Sequence, residues 1–297
     1  MGLFGNNYNR PGPGVPKDAP KKKGFARFFE IVGRDMGDLF KLNVIVAALL
    51  VPMIICVVFM GASWPYLGLI LVGFVLYMAA SVLFGPTIAA AQLVLTHRLR
   101  DEPCYMWHTF KHGFKSNFKQ ALPLGMLFSA IFALEGFAGA LFLMGAAGKV
   151  NVFVVAMFVF SVFLVLIVSE FSFLQVIYLD LKNFAILKNS LLLTFGMAKR
   201  SLPAGIWLLV CTVGMLILAP PFAILLLFAF AVVLILLVAD MWLWPCMEST
   251  FHISELLAAR RDGTEAPIAE PAKQISQAEP EAAISENSVG EGISDEE

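Results

Sequence analysis

Apolar residues gather along this chain into six long runs: Leu42–Met60, Tyr66–Leu83, Leu122–Ala147, Val152–Leu179, Pro203–Leu218 and Phe222–Pro245. At 1.5 Å per residue, helices over these runs reach roughly 24–42 Å, which brackets the ~30 Å hydrocarbon thickness of a bilayer. Runs three and four are longer than a crossing needs. Run five is short and ends at Pro220-Pro221, where a helix cannot continue. The fold class this predicts is all-α: a polytopic membrane helical bundle with six transmembrane helices.

Between the runs the period changes. In Cys104–Lys119, Trp107, Phe110, Phe114 and Phe118 recur at three- and four-residue steps, with His108, Lys111, His112, Lys115 and Lys119 on the remaining positions. That pattern predicts a basic helix lying in the membrane interface, anchored by its aromatic stripe. Leu181–Phe195 carries a weaker helical period, giving a second interfacial helix on the same side. Gly85-Pro86, near the end of run two, is followed by apolar residues as far as Thr96, so a kink is expected there. It serves either as a hinge or only to turn the chain onto the membrane surface. Lys119-Gln120-Ala121-Leu122-Pro123 and Lys199-Arg200-Ser201-Leu202-Pro203 echo each other at the entry to runs three and five. Lys at the membrane edge and Pro in a first turn explain as much without a repeat.

Composition fixes the solvent. Residues are 59% hydrophobic and 14% charged, against roughly 45–50% and 25% in soluble globular chains. Mean hydropathy is +0.80. Lysines and arginines then set the orientation: eight precede run one, five lie between Thr96 and Gln120, four between Asp180 and Leu202, and three follow from Arg260 on, whereas the alternate loops hold only Lys149. By the positive-inside rule, both termini and both basic loops face the cytoplasm. The expected localisation is a cell membrane, crossed several times, with the lipid bilayer as a partner. Nucleic acid is not an expected partner, since the positive-inside rule accounts for the basic residues.

The chain divides into three parts: a basic disordered segment over residues 1–24, a six-helix domain over 25–259, and an acidic disordered tail over 260–297. After Arg261 the tail carries ten acidic residues against Lys273 and no aromatic residue, too little apolar surface to fold. The opening residues lack a signal-peptide core, and Asn6 spoils the myristoylation pattern that Gly2 begins. The four cysteines are not spaced as a disulfide framework.

Several blocks resemble the YesL family of bacterial membrane proteins of unknown function. They are Gly85-Pro86-Thr87-Ile88-Ala89-Ala90, Arg98-Leu99-Arg100-Asp101-Glu102, the stretch Phe110 to Gln120, Asp180 to Leu191, and the front Arg10 to Asp18. The resemblance implies a compact helical protein of the bacterial cytoplasmic membrane, often encoded near carbohydrate-uptake genes, and it implies no catalytic residue.

Candidate chemistry is sparse. Glu135, Glu170 and Asp240 are carboxylates inside apolar runs, where ionisable groups are expensive and point to function by default. Glu135 falls near the midplane, either as a proton or cation relay or as a neutral carboxyl bonded to a neighbouring hydroxyl or carbonyl beside Gly136, Gly139 and Ala140. Glu170 and Asp240 fall toward the cytoplasmic side, where salt bridges with edge cations are expected. Cys104, His108 and His112 share a four-residue spacing, but Lys111, Lys115 and Lys119 crowd the same surface, so no metal site is expected. No phosphate-binding glycine loop, nucleophile elbow or metalloprotease histidine pair occurs, and neither an enzyme nor a cofactor is expected. The function that the YesL resemblance implies is a non-enzymatic accessory or regulatory component of carbohydrate transport, partnered by a transport complex or by copies of itself. A small secondary transporter using the intramembrane carboxylates is the alternative.

Overall fold

The computed structural model describes residues 22, 24–145, 151–217 and 226–262. Every regular element among them is helical. In chain order these are α1 (Phe25–Ala62), α2 (Leu67–Ala80), a 3-10 turn (Ser81–Leu83), α3 (Phe84–Arg100), α4 (Met106–Gly145), α5 (Val152–Tyr178), α6 (Asn183–Gly196) and α7 (Ala198–Ile217). A π-helical turn (Leu227–Ala231), α8 (Val232–Phe251) and α9 (Ile253–Asp262) complete it. Most of the expected leader and acidic tail, the end of run three with Lys149, and Pro220-Pro221 lie outside the described residues.

Residues up to Met36 and those from Gly37 onward form two compact units. Helix α1 loses helical geometry at Asp35 (φ −114°, ψ 16°), next to that boundary. In the first unit Arg27 pairs with Glu30 at 3.2 Å and Arg34 with Asp35 at 2.9 Å. The second unit holds the rest of the bundle and all the candidate chemistry.

Among the described residues, five helical stretches are long and apolar enough to cross a membrane: Phe25–Ala62, Leu67–Arg100, Met106–Leu141, Val152–Tyr178 and Leu227–Phe251. This is the architecture of a multi-pass membrane protein. Helix α7 matches run five, but it opens with Lys199-Arg200 and its described part stops at Ile217, so its apolar length is smaller.

Two of these stretches fuse elements that the sequence pattern separates. The aromatic basic segment and run three are one 40-residue helix, α4, with Pro123 inside it. Pro123 faces outward, and its ring forfeits one intrahelical bond without ending the helix. At about 60 Å, α4 is twice the hydrocarbon thickness. Run two likewise continues through the Ser81–Leu83 turn into α3, so the irregularity falls just before Gly85-Pro86. The segment after Pro86 is packed interior: Thr87 through Gln92, Val94, Leu95 and Thr96 are all buried.

Burial switches along each helix. In α5, Val152, Phe153 and Val154 are exposed while Ile167, Phe171, Phe173 and Leu174 are fully buried. In α4, Ala121, Leu124 and Phe128 are buried and Leu134, Phe137 and Leu141 are exposed. The core therefore gathers at the end that carries the basic loops, from α3, the first half of α4, the second half of α5, α7 and α8. Exposed Leu, Val and Phe toward the other end suit a lipid environment, where such surface carries no penalty.

Two contacts fix the packing. Gly85 and Gly125 bring α3 and α4 together backbone to backbone, so that a Cβ on Gly85 would run into the Ala121 carbonyl. On α1, the Asn43 side chain donates to the carbonyls of Leu227 (2.7 Å) and Phe228 (3.0 Å) and accepts from the Val233 N–H (3.1 Å). A π turn frees carbonyls from the ordinary helical ladder, and Asn43 takes them up.

Candidate functional site

Helices α3, α5 and α8 pack against one another at the basic end, and each places a polar side chain in that apolar interior. Gln92 (α3) and Asp240 (α8) are 0% exposed and Glu170 (α5) is 4% exposed. The Gln92 amide lies beside Glu170, but outside hydrogen-bonding geometry, and Glu170 is close enough for its charge to act on Asp240. Their neighbours along the helices, Ala91, Leu95, Phe171, Leu237, Ala239 and Leu243, are all fully buried and apolar.

These groups are poorly satisfied. Both Asp240 oxygens, Glu170 Oε1 and both amide atoms of Gln92 have no hydrogen-bond partner among the described protein groups. Among the described residues, the salt bridges expected for Glu170 and Asp240 do not form. The edge cations serve other acids instead: Arg98 binds Asp38 at 2.7 Å, Arg100 binds Glu102 at 2.7 Å, and Arg260 binds Asp180 at 3.0 Å. Farther along α5 the Ser172 hydroxyl donates to Ser190 at 3.0 Å and the Gln175 amide to the same hydroxyl at 2.8 Å, while Gln175 Oε1 has no partner among the described groups.

Glu135 stands apart from this pair. Its Oε1 accepts from the Ser161 hydroxyl at 2.8 Å, in an exposed contact between α4 and α5, and its second oxygen has no partner. Gly136 beside it has nothing within 4 Å where a Cβ would stand, and Gly139 faces the Phe158 ring.

A polar cleft of about 420 Å³ opens near the loop between α3 and α4. Helix α3 ends with Asp101 in the left-handed conformation (φ 60°), which an aspartate tolerates. This turn swings Glu102 back onto His97 (3.0 Å) and Arg100 (2.7 Å). Arg100 also sits over the Trp244 ring, 5.5 Å from its centre, and Trp244 meets Tyr178 edge-on at 5.2 Å. Tyr178 in turn bonds the buried Thr96 hydroxyl. His108 and His112 line the opposite wall. Cys104 precedes α4 and contacts the Thr109 hydroxyl, and no group of three His, Cys, Asp or Glu suited to a metal occurs among the described residues.

Of the expected anchors, Trp107 is 59% exposed, Phe110 is 4% exposed, and Phe114 and Phe118 are half-buried. The three phenylalanines stack along α4 at 6.3 and 5.7 Å, and Gly113 between them sits on Ala90 and Leu93 of α3. This face is turned largely toward protein. The hydrophobic pattern does not single out Gln92, Asn43 or Tyr178. The signal for the first two is an amide inside an apolar run, a weaker flag than a charge but subject to the same cost when unpaired.

Among known proteins, the family described as "Protein of unknown function, DUF624" matches residues 65–137, less than half of the chain. That stretch holds α2, α3 and most of α4, including Gly85, Gln92, the α3–α4 turn and the aromatic stripe. No curated protein and no solved structure matches.

Proposed function

We propose that this chain is a six-span protein of the bacterial cytoplasmic membrane, of the YesL kind, with both termini inside. In this reading α7 is the sixth crossing. The chain acts as a non-enzymatic accessory or regulatory component of a membrane transport complex, working through its cytoplasmic end. The observation that carries this reading is the concentration of packed core, buried polar groups and polar cleft at the basic end, while the opposite halves of α4 and α5 present apolar surface. The YesL-like blocks from Gly85 to Gln120 fall inside the DUF624 match, which supports the family reading and carries no activity.

A small secondary transporter has one observation in its favour, the buried Glu170–Asp240 pair. Glu135, the next carboxylate, has one oxygen bonded to Ser161 and stands apart from that pair.

The deciding experiment is recovery of the full chain from its native membrane in mild detergent, with stoichiometric companions identified by mass spectrometry. A transport-complex subunit at fixed ratio is the expected result. Recovery only as copies of itself, together with ion-coupled flux in reconstituted vesicles, overturns the accessory reading.

A further inference from the structure

We propose that Gln92, Glu170 and Asp240, brought together by α3, α5 and α8, bind a hard metal cation inside the bundle. The three side chains come from three separate, mutually packed helices, with Glu170 neighbouring both Gln92 and Asp240, and each is at least nine-tenths buried. Five of their oxygen and nitrogen atoms lack a protein hydrogen-bond partner, including both oxygens of Asp240. Glu170 lies close enough for its charge to act on Asp240, and no lysine or arginine among the described residues pairs with either acid.

Burying one unpaired carboxylate costs several kcal/mol, and two side by side add their repulsion. A folded core retains such a pair by protonating it or by placing a counter-charge between the oxygens. The donors available are two carboxylates and one amide oxygen, with no sulfur or imidazole among them. An all-oxygen set suits sodium, calcium or magnesium, and disfavours zinc and copper. One divalent ion balances both carboxylates; one monovalent ion leaves a single proton shared between them. Either way the ion ties together three helices at this point, so occupancy should read out as stability of the whole bundle.

The test uses the purified full chain in detergent, exchanged into choline chloride with chelator. Sodium, potassium, calcium and magnesium chlorides are then titrated separately at constant ionic strength, and the thermal unfolding midpoint is followed by tryptophan fluorescence. One of these ions should raise the midpoint saturably by about 2 °C or more over choline. Asp240→Asn and Glu170→Gln, which keep shape and remove charge, should abolish the rise. If either variant fails to fold, Gln92→Ala keeps both carboxylates and should shift the ion titration to roughly two- to tenfold higher concentration. Equal midpoints in every salt, including a midpoint that moves only with pH, overturn the proposal in favour of a proton- or water-filled site. A rise that survives in the carboxylate variants, or an unshifted titration in Gln92→Ala, overturns it as well.

Discussion

Replacing Gly85 with Ala adds one methyl group where α3 and α4 touch through their main chains. A Cβ there points at the Ala121 carbonyl and stands 2.9 Å from the Gly125 Cα, and the reciprocal Cβ on Gly125 falls 2.5 Å from the Gly85 Cα. Ordinary carbon contacts need roughly 3.5–4.0 Å, so the helices must part by about 1 Å. No flexible side chain is there to swing aside. Overpacking of this kind costs about 1–3 kcal/mol, of which the better helix propensity of Ala returns about 0.5–1 kcal/mol. A net loss of about 1–2 kcal/mol lowers the unfolding midpoint by roughly 2–8 °C in a chain of this size. Thermal unfolding in detergent measures it, with Gly136→Ala as the control, because nothing lies within 4 Å of that position. The control should match or slightly exceed wild type. A Gly85→Ala midpoint equal to wild type would refute the close approach of α3 and α4, and with it the packing that brings Gln92 to Glu170.

Asn43→Leu removes three hydrogen bonds and strands the carbonyls of Leu227 and Phe228, so thermal unfolding in detergent should show a loss of about 1–3 kcal/mol; a stable variant means that the π turn does not depend on α1. At Glu135, substitution by Gln keeps an acceptor for Ser161 and should leave stability near wild type, whereas Leu should lose roughly 0.6–2 kcal/mol. If Gln instead silences a pH-dependent flux in a fully stable protein, the carboxyl is a relay and not a structural acceptor.

Run four is legible in the sequence almost to the residue, because local chemistry marks its ends. The Asn151 side chain accepts from the Phe153 N–H at 2.9 Å and caps the start of α5, and an extended Leu179 with Asp180 closes it. The joint at Gln120–Pro123 is not legible. Proline marks a boundary in a polar chain, yet in α4 Pro123 merely forgoes one bond at an outward-facing turn. The aromatic stripe has the right period, but amphipathicity alone cannot say whether an apolar face meets lipid or α3. Glu170 and Asp240 show the deeper limit. Position in a run sets depth in the membrane and so places both near the basic end. It does not set which way round the helix a residue points, and that angle decides whether an acid meets an edge arginine or another acid. The arginines are committed to Asp38, Glu102 and Asp180.

The claim that the packed, polar end faces the cytoplasm is tested most directly by reporter fusions along the chain in intact cells. Charge asymmetry of twenty basic residues against one predicts cytoplasmic signals after Lys111, Lys188 and Arg261, and external signals after Ala62 and Lys149. An external signal at Lys111 or a cytoplasmic one at Lys149 would contradict the account, since it would place the cleft and the buried acids on the other side of the membrane or break the six-span count.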